Sequence, residues 1–317
     1  MKEITIQAPA KINLFLEVLG KRGDGYHEIE TVMAPVGLFD QIIVRQGTGK
    51  PGLSLSCSAD FLACDSRNIA YRAAQAVYSH LGITDFQTEI IIEKKISVGA
   101  GLAGGSTDAA AVLLAVNELN GSKLTRRDLL RLGAALGADV PFCMTGKSML
   151  ARGIGERMSP APQLPPCFLI IAKDGSGAST KEAYAALDAI KRGRPHRADA
   201  LIAAMQENNL QEMGRWIYNA FEEVVLPIRP KAAALKAYLL KQDCVFAQMS
   251  GSGTAVFAVF DQYETARRAL NRLQAKGCPE AVLCRPFSRD ILSEEAETEL
   301  LKSLGNRNDG SLIKNLL

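Results

Sequence analysis

The sequence predicts an α+β protein of two domains, and three observations carry that expectation. The chain has 317 residues, near the length at which a single hydrophobic core stops growing. Its first half sets a β-type run, Thr88 to Lys95, a glycine-rich loop and a helix pattern, Asp108 to Leu119, in direct succession. Its second half follows the segment Ala161-Pro162-Gln163-Leu164-Pro165-Pro166, the best linker in the chain, and mixes strand and helix patterns as an α+β sandwich does. Residues 1–160 are expected to form one domain, 161–290 the second, and 291–317 a tail.

Composition narrows the class. At 47% hydrophobic and 22% charged residues this is an ordinary globular chain. A net charge of +3 is too small to point to nucleic acid or an anionic membrane as partner. The seven cysteines are odd in number and no pair has CxxC spacing, which reads as reduced thiols in the cytoplasm rather than disulfides or zinc. Met1-Lys2-Glu3-Ile4 leads straight into a strand pattern, so no signal peptide is expected. The longest apolar run, Ala109 to Val116, is too short to span a bilayer.

The first strand starts with Ile4 and Ile6 alternating with Thr5 and Gln7, an edge pattern. Pro9 marks the entry to its continuation. Period two then puts Ile12, Leu14 and Leu16 on one face and Lys11, Asn13 and Phe15 on the other. A lone lysine there reads first as a solvated residue. Gly23-Asp24-Gly25 makes a turn that presents Tyr26 and His27. The pair is either a hairpin tip or a stacking platform for a planar ring. The three histidines are scattered, which argues against a histidine metal site.

Glu28 to Val44 reads as further strand, with a bend at Asp40, and Leu53 to Cys57 as a short one. Asp65-Ser66-Arg67-Asn68 caps a helix from Ile69 to Leu81 that Gly82 stops. Thr125 caps another, through Leu136, ended by Gly137. Asp139 then lies past a helix C-terminus, where a carboxylate is electrostatically unwelcome. Either an Asx turn before Pro141 or a partner cation explains it. Gly146 to Ala151 is a strand, and Arg152 to Glu156 a turn.

In the second half, Phe168 to Ala172 is a buried strand and Ser179 opens a helix to about Ile190. Helices are expected over Ala198–Glu207, Leu210–Val225, Pro230–Lys241 and Tyr263–Ala275, with strands at Ala255–Phe260 and Ala281–Cys284. Ser250-Gly251-Ser252-Gly253-Thr254 is a second glycine-rich turn: a tight hairpin, or, as favoured here, a second wall of a phosphate pocket. The tail from Ser293 is charged, with Leu300, Leu301 and Leu304 on one stripe.

The chemistry centres on Ser97-Val98-Gly99-Ala100-Gly101-Leu102-Ala103-Gly104-Gly105-Ser106-Thr107. Glycines let main-chain N–H groups turn inward and a ligand approach without Cβ atoms in the way. The helix that follows adds free donors and the positive end of its dipole. Together these suit a phosphate. Gly99-x-Gly101-x-x-Gly104 fits the dinucleotide pattern, but no second strand with an acidic residue follows about 20 positions on. No Gly-Lys-Ser/Thr closes the loop, so the Walker pattern fails as well. A turn that merely packs helix on strand is the bland alternative. Ser106 and Thr107 are anion ligands or ordinary N-caps.

Taken in order, Pro9-Ala10-Lys11-Ile12-Asn13-Leu14, Asp24-Gly25-Tyr26-His27, Gly99-Ala100-Gly101-Leu102 through Asp108-Ala109-Ala110, Leu136-Gly137-Ala138-Asp139-Val140-Pro141 and Ser250-Gly251-Ser252-Gly253 resemble the GHMP kinase superfamily over about residues 1–290. The Ala-Lys-Ile-Asn-Leu and Gly-Tyr-His segments are similar to the branch whose acceptor is CDP-methylerythritol. The resemblance implies a fold with an N-terminal domain like the second domain of ribosomal protein S5 and a C-terminal ferredoxin-like domain. It implies transfer of the ATP γ-phosphate to a hydroxyl of that acceptor, with Mg²⁺ beside ATP; its protein ligand is left open, with Asp108 and Ser106 as candidates. By the same resemblance Lys11 and Asp139 are the catalytic pair, and residues 97–107, Asn68 and Lys94 meet the nucleotide. Tyr26 and His27 hold the cytosine, and Asn13 and Thr180 face the substrate. A monomer or weak homodimer is expected, with small molecules as its only other partners. Ser97, Ala103 and Thr107 depart from the usual proline, glycine and serine, and Ala103 adds a Cβ near the phosphates. Two other readings stand beside this one: a superfamily kinase for a sugar, homoserine or mevalonate, and a non-catalytic nucleotide sensor, which has no use for Lys11 and Asp139 together.

Overall fold

The protein is described here from a computed structural model, over residues 1–47, 49–173, 175, 177–278 and 280–288. The 291–317 tail and its leucine stripe lie outside the described residues.

Two long strands, β1 (Lys2–Lys21) and β2 (His27–Gln46), form an antiparallel hairpin that organises the first half. Gly25, at φ +86°, closes its turn, and Arg22 N–H donates to the Tyr26 carbonyl at 2.7 Å. The chain continues through β3 (Gly52–Cys57), α1 (Ile69–Leu81), β4 (Gln87–Glu93), α2 (Gly104–Leu119), α3 (Arg126–Leu136), α4 (Val140–Cys143), β5 (Met149–Gly153) and β6 (Arg157–Pro160). Next come β7 (Phe168–Lys173), α5 (Thr180–Asp188), α6 (Asp199–Gln206), α7 (Leu210–Trp216), β8 (Tyr218–Asn219), α8 (Glu222–Ile228) and α9 (Pro230–Leu240). The last described elements are β9 (Phe246–Met249), β10 (Val256–Phe260), α10 (Tyr263–Ala275) and β11 (Glu280–Cys284). No helix among the described residues is long and apolar enough to cross a membrane.

The first sheet runs β3-β4-β2-β1-β8, with β5 pairing β2 and β6 pairing β5. The second runs β11-β7-β10-β9, all antiparallel. In its own chain order that is 4-1-3-2, with helices in the first and last connections, the ferredoxin-like β-α-β-β-α-β plan. Period two divides its side chains cleanly. Ile170, Ala172, Val256, Ala258 and Phe260 pack with α9 and α10, whereas Leu169, Ile171, Phe257 and Val259 pack against Ala10, Ile12, Leu14 and Phe15 of β1. The two halves thus share a core, and burying each large side chain there stabilises by about 1.5–3 kcal/mol.

Local differences from the expected pattern trace to bulges and breaks. Pro9 does not begin the strand but lies inside it, where register shifts between Pro9 and Ala10 because Gly37 and Leu38 are extra on β2. A proline is tolerated there because a bulge needs no ladder N–H. A second shift, at Leu14, turns Phe15 into the core beside Ile12 and sends Leu16 to a separate cluster with Phe221. Phe15 therefore does not share the polar face of Lys11 and Asn13. The expected helix 210–225 is broken by β8, because Asn219 Nδ2 donates to the Met249 and Gly251 carbonyls at 2.7 and 2.9 Å and Tyr218 pairs with Phe15. Arg152 and Gly153, expected in a turn, end β5. Asp40 sits in the ladder, fully buried, rather than at a bend.

Candidate active site

A cleft of about 1050 Å³ lies between the halves and is lined by both. Its floor is the glycine loop. Helix α2 starts at Gly104, four residues earlier than expected, so Gly104, Gly105, Ser106 and Thr107 form its first turn. Ser106 and Thr107 are accordingly not N-caps, and Thr107 is buried. The N-cap position is Ala103, in the left-handed region at φ +57°, and no side chain caps the helix. An alanine there costs about 1–2 kcal/mol, and the free N–H groups of the first turn are left for an anion.

The second glycine turn is both hairpin and wall. It joins β9 to β10, and Gly251, Ser252 and Gly253 line the cleft. Ser250 Oγ donates to the Gly101 carbonyl at 2.9 Å, and Ala255 N–H to the Ala100 carbonyl at 3.1 Å. A Cβ on Gly101, at φ +78°, would lie 2.0 Å from the Ser250 carbonyl oxygen. Only glycine allows this approach.

Above the loop, β1 carries Lys11 and the segment between α3 and α4 carries Asp139. Lys11 Nζ lies 3.8 Å from Asp139 Oδ2 and donates to Asn13 Oδ1 at 2.6 Å. The Lys11 side chain is 6% exposed and that of Asp139 is 39% exposed, so the carboxylate faces the cleft. Of the two explanations for an acid at this place, the structure gives the cation. Asp139 makes no capping bond, and it stands at the N-terminal start of α4 rather than only at the end of α3. Asn13 is fixed in turn, donating to Thr31 Oγ1 at 2.8 Å, with Thr31 bonded to the Phe15 carbonyl.

Lys94 and Asn68 line the same cleft, yet both side chains have protein partners. Lys94 Nζ donates to Asp40 Oδ2 at 2.5 Å and Asp108 Oδ2 at 2.8 Å. Asp40 Oδ1 accepts from the Lys95 and Ile96 N–H groups, pinning the start of the loop. Burial pushes the Asp108 carboxyl up to about 7, with Lys94 opposing and Asp40 reinforcing the rise. Lys94 stays above its usual value because the two carboxylates outweigh its burial. Asp108 Oδ1 is buried without a hydrogen-bond partner. Asn68 caps α1, accepting from Ala70 N–H and donating to the Ala63 carbonyl.

At the far end the expected Tyr26–His27 pair separates. Tyr26 is 61% exposed on the turn. His27 stacks instead on Tyr184, with centroids 4.4 Å apart and planes at 19°, and its Nε2 lies 2.8 Å from Asp188 Oδ1. That bond, more than Lys21, holds the Asp188 carboxyl below its usual value. Burial pushes the Tyr184 hydroxyl up to about 12, with the charge of Asp139 adding to it. Thr180 Oγ1 and Ser252 Oγ, both lining the cleft from the second half, are hydrogen-bonded at 2.9 Å. Sequence reasoning missed Tyr184 and Asp188. The available signal was spacing: residues 180, 184 and 188 are four apart and share one face of α5.

No group of three or more His, Cys, Asp or Glu residues that could hold a metal occurs among the described residues. A Mg²⁺ ion needs few protein donors when it arrives on phosphate oxygens. The Ser106 hydroxyl, in the first turn of α2 on the cleft, suits that role, whereas Asp108 is buried and committed to Lys94.

Models for the GHMP kinases N terminal domain and the GHMP kinases C terminal domain match residues 68–147 and 201–278. The 4-diphosphocytidyl-2-C-methyl-D-erythritol kinase of Syntrophomonas wolfei subsp. wolfei is 40% identical over 275 residues, covering 87% of this chain and 95% of its own. The kinase of the same name from Gloeobacter violaceus is 39% identical over 303 residues, covering 94% and 99%. The crystal structure of a 4-(cytidine 5'-diphospho)-2C-methyl-D-erythritol kinase superposes with a TM-score of 0.77 at 32% identity, over 90% of this chain and 100% of that one.

Proposed function

The chain belongs to the GHMP kinases, in the family of the 4-diphosphocytidyl-2-C-methyl-D-erythritol kinases, and from that membership we infer that it transfers the γ-phosphoryl group of ATP to the 2-hydroxyl of 4-diphosphocytidyl-2-C-methyl-D-erythritol. The product is the 2-phosphate, a step in non-mevalonate isoprenoid precursor supply. The observation that carries the reading is the placement of Lys11 and Asp139 above the glycine loop, with an aromatic pocket at the other end of the same cleft.

Phosphoryl transfer asks for positioning and charge stabilisation rather than covalent help. The triphosphate lies along the N–H groups of residues 97–107. Asp139 orients the acceptor hydroxyl and takes its proton. Lys11 offsets charge on the γ-phosphoryl group, and Asn13 holds Lys11 for that task. Ser106 would hold Mg²⁺ together with phosphate oxygens, and the ion bound there would supply further charge neutralisation. Tyr26, His27 and Tyr184 take the cytosine and Thr180 the acceptor chain. Asn68 and Lys94, which line the cleft, meet the nucleotide there while also holding α1 and the start of α2.

The same reading places the domain boundary at 160/161 and the protein in the cytoplasm, working on small molecules as a monomer or weak homodimer. The seven cysteines form no disulfide with one another. The test is ADP release from Mg·ATP with the cytidyl acceptor beside galactose, homoserine and mevalonate. Turnover confined to the cytidyl compound is expected. Turnover with a small acceptor instead would overturn the substrate, and tight ATP binding with no turnover on any of them would favour a sensor.

A further inference from the structure

The glycine loop is held by its carbonyl oxygens. In a planar trans peptide the C=O group and the N–H of the next residue point to opposite sides of the chain. A donor that captures carbonyl i from outside the cleft therefore turns N–H i+1 into it. Lys11 N–H takes the Leu102 carbonyl at 3.1 Å, Ser250 Oγ the Gly101 carbonyl and Ala255 N–H the Ala100 carbonyl. These turn inward the N–H groups of Ala103, Leu102 and Gly101. A fourth donor completes the series: Lys173 Nζ, at the end of β7, donates to the Val98 carbonyl at 3.2 Å. It turns the Gly99 N–H inward. Among the described residues no protein acceptor takes the N–H of Gly99, Gly101, Leu102 or Ala103.

Lys173 is not among the residues that line the cleft, so it reaches the nucleotide site only through the backbone. Its side chain is 12% exposed, and its carboxylate neighbour, Glu280 on the adjacent strand, is more distant at 3.9 Å. The chain just beyond Lys173 grips the next peptide as well, since a Cβ on Gly177 would lie 2.3 Å from the Gly99 carbonyl oxygen.

We propose that Lys173 is a positioning residue of the nucleotide site: from the second half of the chain it fixes the Val98–Gly99 peptide so that the Gly99 N–H is presented to the triphosphate. The proposal rests on the reading of this cleft as an ATP site. It assigns the second half of the chain a part in nucleotide binding that no side chain on the cleft wall displays.

The test uses the full chain and three proteins: wild type, Lys173→Met and Lys173→Arg. Loss of a charge-assisted hydrogen bond is expected to raise the Kd and KM for Mg·ATP about tenfold in Lys173→Met. The KM for the acceptor, kcat and the melting temperature stay near wild type, and Lys173→Arg, which still donates, restores ATP binding. Because a hydrogen bond is local, the Lys173→Met defect persists in about 0.5 M KCl, where long-range charge effects are screened. An unchanged ATP Kd in Lys173→Met overturns the proposal. So does a defect that salt abolishes, which makes Lys173 a distant charge, or a parallel loss of both KM values with a lowered melting temperature, which makes it a structural residue. In each of these the wild type still binds Mg·ATP. A wild type that fails to bind it overturns the kinase reading and the proposal together.

Discussion

The two ends of the cleft are built by different means. The proposed nucleotide end is main chain: one continuous stretch, residues 97–107, whose Val98, Ala100, Gly101 and Leu102 carbonyls are captured by Lys173, Ala255, Ser250 and Lys11 while the N–H groups of Gly99, Gly101, Leu102 and Ala103 have no protein acceptor among the described residues. The acceptor end is side chain: Tyr26 and His27 from the β1–β2 turn, Thr180, Tyr184 and Asp188 from one face of α5. A main-chain site depends little on side-chain identity but is sensitive to added volume where backbones touch. A side-chain site has the opposite sensitivity.

Asp139 stands where the two ends meet, so it gives the largest effect. Asp139→Asn keeps the shape and removes the base. A general base contributes about 10²–10⁴-fold, so kcat is expected to fall by about 10³-fold while Mg·ATP and acceptor still bind. Steady-state kinetics with a separate nucleotide-binding titration check this. Near-normal kcat would show that Asp139 is not the base and that the junction is only geometric.

A pair of substitutions then separates the ends. Gly101→Ala forces a Cβ to within 2.0 Å of the Ser250 carbonyl oxygen, so the loop or the second glycine turn must move. Strain of about 1–3 kcal/mol at such a position, added to misaligned donors, is expected to raise the KM for ATP at least about tenfold, with the acceptor KM little changed. Tyr184→Ala does the reverse. Aromatic stacking on a base is worth about 1–3 kcal/mol, so the acceptor KM rises about 5- to 150-fold and the KM for ATP holds. If both variants moved both constants alike, the two ends would be one coupled site and the contrast would fail.

The same contrast explains what could be read from the chain alone. A main-chain phosphate site leaves its mark as glycines, and so the loop was visible. So were helices bounded by caps: α1 between Asn68 and Gly82, and α3 between Thr125 and Gly137. Sites made of side chains on separate elements leave no local mark. Tyr184 looked like any helical tyrosine, and Asp40 like a bend, because its partners Lys94, Lys95 and Ile96 are more than fifty residues away. Helix α2 was expected to start late because Gly104 and Gly105 have poor helix propensity, yet packing of its alanines against α1 carries the helix back to them. The bulge that turns Phe15 inward is set by pairing with β2, which no alternation within β1 reveals.

The remaining expected effect is on stability rather than turnover and concerns the ground beneath the nucleotide end, where two carboxylates share one buried lysine. The Asp108 carboxyl is raised from 3.8 to about 7 by burial, against Lys94 and with Asp40. The unfolded chain gives up this proton near 3.8, whereas the folded protein keeps it to about 7. Between those values the folded state binds more protons, so this group's contribution to stability falls as pH rises through the window and is level on either side of it. Asp108→Asn has no proton to keep. Urea midpoints measured from pH 4 to 8 should therefore show wild type losing stability relative to the variant across that window and running parallel to it above about 7. Parallel curves throughout would mean that Asp108 is ionised in the folded protein and that Lys94 alone balances it and Asp40. In that case α2 would carry a full negative charge just past its first turn, and the main-chain N–H groups of that turn would have to attract the triphosphate against that charge rather than over a neutral floor.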